Sequence, residues 1–368
     1  MRIYLFTLIV HISAFCIHFR TQKFRPGLTL YGFRDDAVQH QLVADRIFDG
    51  EEIKGWNYWY YSNGMHTSTD DVLVSLVALN NEIQDEWSRY VFLGDRYKQA
   101  LFSTVHKDKT FYYADLGCGI ASVLLLVVNG LLTTQYCNSF LSLTSHCPVN
   151  VVAHGLEVQK HSASLAERSV ASLFHFPNIP EPKIAIQNRD IREINGTTLG
   201  QADSLLPLIG QCNLLTANPP YFPASLGSHS ADLQRRNARF ELHGGIEDYC
   251  LAAKELLHPV DGLFVFSFPV NKDCHRAELA LNAAGLKLMR KTMILAGKYD
   301  AADPYLCIYE AAVGLPTEEQ IKERLLDIRR VEGSNKLNPL YYEIQRSLNM
   351  APRPLKRRER NAQIGILK

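Results

Sequence analysis

The sequence is short of the features that mark several common protein classes. Its 39 lysine and arginine residues are balanced by 38 aspartate and glutamate residues, so the formal net charge is only +1. Any nucleic-acid partner must therefore be held by local basic patches rather than by the field of the whole protein. None of the eight cysteines belongs to a Cys-x-x-Cys pair, and several lie in apolar runs. We infer buried, reduced thiols, with neither a disulfide framework nor a metal site.

The start of the chain has no acidic residue before Asp35. Residues 1–19 form an apolar run that is short for a membrane span and contains His11 and His18, and a basic stretch follows it. This pattern is typical of a signal or organellar transit peptide, and the alternative is a wrongly chosen start codon. We expect residues 1–35 to be a targeting peptide. If these residues are a targeting peptide, the protein is expected in an organelle (mitochondrion or plastid), without stable membrane association after processing. If they are not, it is expected in the cytoplasm.

The body of the chain alternates apolar strand patterns with helical patterns. Strands are predicted at 111–116, 149–156, 183–187, 212–217, 262–269, 288–295 and 305–313. The alternation predicts an α/β fold with a doubly wound, mostly parallel sheet of seven strands, formed by residues 101–315. Residues 36–100 are predicted to cover the bound ligands. Residues 316–368 are predicted to form a helix, from the Thr-x-x-Gln box at 317–320, and a basic tail.

The chain is organised around the Asn-Pro-Pro-Tyr sequence at 218–221, which follows a predicted buried strand. In open α/β sheets, ligands bind beyond the carboxyl ends of such strands. The Asn218 side-chain carbonyl and the Pro219 backbone carbonyl are acceptors that suit an amine conjugated to a ring or carbonyl. Pro219 gives up its backbone N–H and fixes φ, Pro220 completes the tetrapeptide, and Tyr221 can stack on a flat substrate. The alternative is an Asn-Pro turn with Tyr221 in the core.

A glycine turn follows the first strand of the predicted sheet. Gly117 and Gly119 allow a tight turn between this strand and the next helix, while Ala121 stands where a third glycine is common. Asp115 precedes the glycines, and its charge disfavours a pyrophosphate but suits a cationic ligand such as S-adenosylmethionine. We therefore predict that cofactor here, and the alternative is a turn without a ligand.

Further polar residues stand at the ends of predicted strands or beside them. Glu157, at the tip of the second strand, is predicted to bind a ribose, or else is a solvated surface residue. Asp190 either binds an adenine amino group or caps the next turn. Thr69 and Asp70 begin a helix that either is simply capped by them or lies over the cofactor. Three arginines are predicted to hold phosphates: Arg235, Arg236 and Arg239. The alternative is that they lie on a solvated helix face.

These residues together carry a family resemblance. The segment 115–119, Glu157, Asp190 and the tetrapeptide 218–221 occur in the order seen in class I S-adenosylmethionine-dependent methyltransferases that methylate amines. Thr69-Asp70 and the Ala-Arg-Phe-Glu sequence at 238–241 resemble, more narrowly, the bacterial tRNA adenine-N6 methyltransferases that modify valine tRNA. The resemblance covers roughly residues 60–315. The N-terminal extension, an insertion at 133–148, Ala121 and the basic tail depart from the family pattern.

The resemblance implies S-adenosylmethionine over the glycine turn, on Asp115, Gly117, Gly119, Glu157, Asp190, Thr69, Asp70 and Asn218. It also implies a flipped adenine stacked on Tyr221, with its N6 amine held by Asn218 and Pro219. The expected substrate is tRNA or another structured RNA. Three alternatives stay open: a protein-glutamine methyltransferase, a DNA adenine methyltransferase, and a non-catalytic cofactor-binding subunit of a complex.

Overall fold

The computed structural model describes residues 37–42, 46–48, 51–53, 56–61, 65, 67–79, 110–132, 150–172, 181–194, 203–225, 233–260, 262–270, 274–298, 300–313, 322–333, 338–348 and 350. The predicted targeting peptide, the predicted insertion at 133–148 and the basic tail all lie outside the described residues. Predictions on those three segments therefore stay predictions.

The described part of the chain forms strands and helices in alternation. The strands are β1 (Ala37–Leu42), β2 (Arg46–Phe48), β3 (Glu51–Ile53), β4 (Trp56–Tyr61), β5 (Thr110–Leu116), β6 (Asn150–Glu157), β7 (Lys183–Asn188), β8 (Leu214–Ala217), β9 (Leu263–Pro269), β10 (Lys287–Leu295), β11 (Leu306–Ala312) and β12 (Lys322–Asp327). The α-helices are α1 (Thr69–Leu79), α2 (Ser122–Leu132), α3 (Lys160–Val170), α4 (Leu233–Arg239), α5 (Ile246–Leu256), α6 (Cys274–Ala283) and α7 (Pro339–Ser347). Two short 3-10 turns span Ile191–Glu193 and Leu206–Leu208.

Eight of these strands form one sheet in the order β12-β10-β11-β9-β8-β5-β6-β7. Strand β11 is antiparallel to both of its neighbours, and every other neighbouring pair is parallel. The predicted doubly wound, mostly parallel sheet is therefore confirmed, with eight strands instead of seven. Two small antiparallel pairs, β1 with β4 and β2 with β3, precede it.

The eighth strand lies where the sequence predicted a helix, and that prediction was wrong. Residues of β12 pair in parallel with β10, although the helical spacing and the box at 317–320 predicted a helix through them. The structure does not describe the box itself. Leu326 and Ile328 are buried while Leu325 is 44% exposed, so the side chains alternate with period two. Pairing satisfies the backbone groups of β10 that an open edge would leave free, and this outweighs local helix propensity.

Two apolar helices form the core on one face of the sheet. Every residue of α2 is buried, as expected of a helix that is apolar all round. Helix α1 packs against it and buries its residues from Val72 to its end at Leu79. The side chain of Leu79 lies so close to Gly130 that a Cβ atom there would overlap it. Glycine at this point therefore allows close contact of the two helices.

Segments from both ends of the described chain hold this helix pair in place. The Tyr58 hydroxyl donates to the backbone carbonyl of Ser122, the first residue of α2, at 2.6 Å. The next residue ties the same strand to α3, since Trp59 N–H donates to Ser169 Oγ at 3.1 Å. From the other side, the Tyr341 hydroxyl of α7 lies 3.5 Å from Thr69 Oγ1. Among the described residues, no helix combines the length and the apolar character that crossing a bilayer requires.

The strand register places the candidate site at the switch point of the sheet. The chain runs from β5 outward to β7 and then crosses to β8 on the other side of β5. Asp115 pairs with Thr216, and the end of β6 at Glu157 pairs with Asn188. The carboxyl ends of β5, β6 and β8 therefore meet at one edge, where open α/β sheets bind their ligands.

Candidate active site

The turn after β5 has an unusual backbone conformation. Gly117 and Gly119 take φ angles of 68° and 57°, in the left-handed region, and Ala121 does so at 69°. A left-handed residue with a Cβ atom costs about 1–2 kcal/mol, so Ala121 holds backbone strain directly before α2. Cys118 N–H donates to the carbonyl of Leu156 at 2.9 Å, which fixes the turn against β6.

Gly117 faces Tyr249, and alanine at this position should destabilise the protein. A Cβ atom there would overlap the Tyr249 hydroxyl, and the left-handed φ adds strain. We expect Gly117→Ala to lower the free energy of unfolding by more than about 2 kcal/mol in thermal or denaturant unfolding. Gly119→Ala is the matched control, since it has a similar φ and open space around it. It should cost about 1 kcal/mol.

The double variant Gly117→Ala with Tyr249→Phe separates the clash from the strain. Phenylalanine removes the atom that approaches closest, so this variant should recover part of the lost stability. If adding Tyr249→Phe to Gly117→Ala does not raise the free energy of unfolding, the clash with Tyr249 is not the cause of the lost stability.

Two carboxylates lie on the floor of the site. Asp115 is 2% exposed, and its Oδ1 accepts from Thr216 Oγ1 at 2.7 Å. Glu157 is 5% exposed, and its two oxygens accept from the backbone N–H groups of Gly119 at 3.0 Å and Gln159 at 2.7 Å. Burial therefore excludes the alternative that Glu157 is a solvated surface residue. The described structure gives neither carboxylate a cationic partner.

Burial without a cation raises the pKa values of the carboxylates in the site. Burial raises the pKa of Asp115 to about 8, with the charges of Asp71 and Glu157 adding to it. Burial also raises the pKa of Glu157 to about 7. The pKa of Asp71 rises to about 6 for the same reason, with a further contribution from Asp70. A site with three such groups favours a bound cation.

These shifts predict how stability depends on pH in the ligand-free protein. Because the folded pKa values lie above the unfolded ones, near 4, the folded state holds more protons between the two. The free energy of unfolding is therefore highest below about pH 4, falls as the pH rises, and levels off once the pH passes the folded pKa values of about 6 to 8. We expect the melting temperature to fall by several degrees from about pH 6 to pH 9. A melting temperature that rises over this range would contradict the assignment.

The tetrapeptide begins directly after β8. Asn218 Nδ2 donates to Asp71 Oδ1 at 2.8 Å, and its Oδ1 lies 2.6 Å from Ser267 Oγ and 2.7 Å from the Tyr221 hydroxyl. The Tyr221 ring packs edge-on against Phe268, with a centroid distance of 6.2 Å. Its hydroxyl points into this network rather than away from the protein.

The start of α1 differs from the sequence-based interpretation of its cap. Ser68 and Asp71 form the cap: Ser68 N–H donates to Asp71 Oδ2 at 2.9 Å, and Asp71 N–H donates to Ser68 Oγ at 3.2 Å. This is a capping box, so capping does not explain Thr69 and Asp70 as the sequence suggested. Thr69 faces Tyr341 instead. Asp70 accepts from two tyrosine hydroxyls, which are described below.

Helix α4 carries the three predicted phosphate-binding arginines. Of these, Arg239 lines the candidate cavity. The backbone of Phe222 pairs with the end of α4 through Arg239 O and Glu241 N–H, at 3.0 and 2.9 Å. Gln234 accepts from Met65 N–H at 3.0 Å. Arg235 and Arg236 lie on the same short helix, and their predicted role stays a prediction.

Asp190 caps the turn that follows β7. Its Oδ1 accepts from Arg192 N–H at 3.0 Å, and its carboxylate pairs with the Arg192 guanidinium at 2.5 Å. The hydrogen bonds from Arg192 lower the pKa of Asp190. Capping, one of the two predicted roles, is therefore present, and contact with an adenine stays a prediction.

These elements enclose a cavity of about 520 Å³, within the range of small-molecule sites. Among the predicted residues, those that line it are Asp70, Asp115, Gly117, Gly119, Glu157, Asn218, Pro219, Pro220, Tyr221 and Arg239. Residues that line it or support it without having been predicted include Asp71, Ser267, Tyr249 and Tyr305. Within the described residues, no group of three His, Cys, Asp or Glu side chains could hold a metal ion.

No family model and no curated protein matches the chain. Solved structures that resemble it include a protein described as a predicted O-methyltransferase, from Agrobacterium tumefaciens (17% identity, TM-score 0.37, 70% of this chain and 99% of that chain covered). A type I restriction-modification methyltransferase subunit from Streptococcus thermophilus shows 15% identity and a TM-score of 0.41 over 78% of this chain, which spans 52% of that subunit. A TehB-like SAM-dependent methyltransferase from Corynebacterium glutamicum shows 12% identity and a TM-score of 0.29, with 59% and 86% covered.

Proposed function

We propose that the protein is an S-adenosylmethionine-dependent N-methyltransferase that acts on the N6 amino group of adenine in RNA, with tRNA as the substrate. The observation that carries the proposal is the position of Asn218, which lies on the wall of the same cavity as two buried carboxylates and a third, that of Asp71, which is half-buried. One wall therefore carries acceptors for an amine, and the floor carries charges that complement a cation. A methyl transfer from a sulfonium donor to an amine needs both.

The residues of the cavity fit the cofactor. Asp115 and Glu157 are buried carboxylates that suit a cationic group and ribose hydroxyls, respectively. The glycine turn leaves room, since a Cβ atom at Gly119 would meet nothing within 4 Å. S-adenosylmethionine, when bound, supplies a methyl group on a positively charged sulfur. The protein residues have to bind it, exclude water and position the acceptor amine.

The acceptor side acts through hydrogen bonds. Asn218 Oδ1 and the Pro219 carbonyl accept from the two N–H groups of the amine, which draws its lone pair out of conjugation with the ring. Tyr221 supplies an aromatic surface beside them. The positioned amine needs no strong base, because the nitrogen loses its proton readily once it is methylated.

An arginine of the cavity lining supports RNA as the substrate over a protein side chain. Arg239 lines the cavity beside Phe222, so a phosphate next to a flipped nucleotide lies within reach of a guanidinium. An uncharged protein amide accepts hydrogen bonds from a guanidinium but, unlike a phosphate, offers it no opposite charge. The formal net charge of +1 is consistent with such a local contact in place of a broadly basic surface.

Methyl transfer from labelled S-adenosylmethionine tests the proposal. Unmodified tRNA, total protein and duplex DNA are offered in parallel to the full chain. The proposal expects label in tRNA. Label in protein alone would replace it with glutamine methylation, and label in DNA alone with a DNA adenine methyltransferase. Cofactor binding without transfer to any pool would indicate a non-catalytic subunit.

A further inference from the structure

The amide of Asn218 has a fixed orientation. An ionised carboxylate only accepts hydrogen bonds, so the Asp71 oxygen 2.8 Å away must face the NH2 group of Asn218. The carbonyl oxygen of Asn218 then has to point at Ser267 and Tyr221. Asp71 thus decides which end of the amide is presented to an incoming amine.

The carbonyl oxygen of Asn218 has two lone pairs and two hydroxyl neighbours. Ser267 Oγ lies 2.6 Å from it and the Tyr221 hydroxyl lies 2.7 Å from it. If both hydroxyls donate to this oxygen, both lone pairs are used and the substrate amine finds no acceptor there. Amine binding therefore requires that one hydroxyl donates elsewhere.

Two other acceptors lie within reach of the Tyr221 hydroxyl, Ser267 Oγ at 3.0 Å and the carboxylate of Asp70. The Tyr221 oxygen lies 3.1 Å from Asp70 Oδ2, and the Tyr305 hydroxyl donates to Asp70 Oδ1, also at 3.1 Å. A hydrogen bond to a carboxylate is stronger than one to a neutral amide. The hydroxyl of Tyr221 carries a single hydrogen, so donating it to Asp70 withdraws it from Asn218.

We propose that Asp70 is a positioning residue that accepts the Tyr221 hydroxyl hydrogen and so removes a donor that competes with the substrate amine for the carbonyl oxygen of Asn218. Asp71 fixes the orientation of the same amide, and Ser267 occupies the remaining lone pair. This inference rests on the proposed function, in which Asn218 receives the amine. It gives Asp70 a role on the acceptor side, whereas the resemblance implied a role at the cofactor.

Asp70 has no competing structural role as a helix cap. Helix α1 is capped by Ser68 and Asp71, which satisfy each other's backbone N–H groups. The side chain of Asp70 contacts only tyrosine hydroxyls among the hydrogen bonds described for it. The half-buried carboxylate of Asp70 therefore acts as a hydrogen-bond acceptor for the hydroxyls of Tyr221 and Tyr305, and not as a helix cap.

The test combines Asp70→Leu with Tyr221→Phe. Leucine has the same branching at Cγ as aspartate, suits a helix and accepts no hydrogen bond. The hydroxyl of Tyr221 then turns to its nearest remaining acceptor, Asn218 Oδ1 at 2.7 Å, ahead of Ser267 Oγ at 3.0 Å. We expect kcat to fall about 10-fold to 100-fold, with little change in cofactor affinity or melting temperature. Tyr221→Phe removes the competing hydrogen and keeps the ring. The double variant should therefore be at least about fivefold more active than Asp70→Leu alone.

The controls separate this mechanism from a general loss of structure. Tyr342→Phe, at an exposed position of α7, should change nothing. Asp70→Asn, which keeps a neutral acceptor, should lie between the wild type and Asp70→Leu. The inference would be overturned if the losses of kcat in Asp70→Leu and Tyr221→Phe added up in the double variant. It would equally be overturned if the double variant were less active than Asp70→Leu alone.

The same rates are measured on whichever acceptor the wild type methylates. If the wild type labels protein or DNA and not RNA, the proposed substrate fails, while recovery by Tyr221→Phe still supports the role of Asp70. If RNA is methylated and recovery is absent, the role of Asp70 fails and the proposed function stands. A wild type that labels no pool would overturn both.

Discussion

Replacing Asn218 with alanine is expected to lower methyl transfer to tRNA by at least about 100-fold to 1,000-fold, the cost of losing one preorganised group that stabilises a transition state. The effect should fall on kcat. Asn218 lies on the acceptor wall, and the buried carboxylates that suit the cofactor lie on the strands β5 and β6. The dissociation constant of S-adenosylmethionine, measured by calorimetry, should therefore change by less than about threefold.

Asn282→Ala is the matched control for this variant. Asn282 lies exposed on α6 and lies outside the cavity lining, so its loss should change neither kcat nor binding. If Asn218→Ala loses cofactor binding together with activity, the assignment of Asn218 to the acceptor side is wrong. Retained turnover in that variant would contradict the proposed chemistry as a whole.

Asp115→Asn should weaken cofactor binding about 10-fold to 100-fold without destabilising the protein. The amide has the same shape and can still accept from Thr216 Oγ1 through its carbonyl oxygen. It cannot supply a negative charge, and a hydrogen bond to a charged group contributes about 1.5–3 kcal/mol. Burial raises the pKa of Asp115 to about 8, so the ligand-free wild type is largely neutral there at pH 7 and loses little stability in the variant.

The pH dependence of binding gives a second measurement on the same variant. In the wild type, affinity for the cationic cofactor should rise with pH through about 6 to 8 as Asp71, Glu157 and Asp115 ionise. In Asp115→Asn this rise should be shallower. Asp303→Asn, at an exposed position, is the control and should match the wild type. Equal cofactor affinity in wild type and Asp115→Asn would remove Asp115 from the site.

Local patterns were enough to predict most of the sheet. Buried parallel strands read as continuous apolar runs, and the strands from β5 to β11 lie within a few residues of their predicted positions. The strand β12 was missed because its identity depends on the open edge of β10, which the local sequence does not show. There a tertiary contact outweighed a helical spacing of apolar residues.

The residues of the candidate site that stand at the end of a strand were identified from the sequence. Residues that reach the site from distant parts of the chain were missed. Asp115, Glu157 and Asn218 stand at strand ends and so at the ligand edge. Ser267 and Tyr305 come from distant segments, and their contact with this edge is set by the sheet order. Two local signals were available: the Ser-x-x-Asp box at 68–71, and a lone serine inside the otherwise apolar strand β9.

The account depends most on the claim that the acceptor is a conjugated amine of RNA. We would digest tRNA labelled by the protein to nucleosides and identify the methylated product by mass spectrometry against standards. The account predicts N6-methyladenosine, absent when Asn218→Ala replaces the wild type. A methyl group on the ribose, on carbon or on a ring nitrogen would contradict it, because none of these positions offers the two N–H groups that Asn218 and Pro219 are proposed to hold.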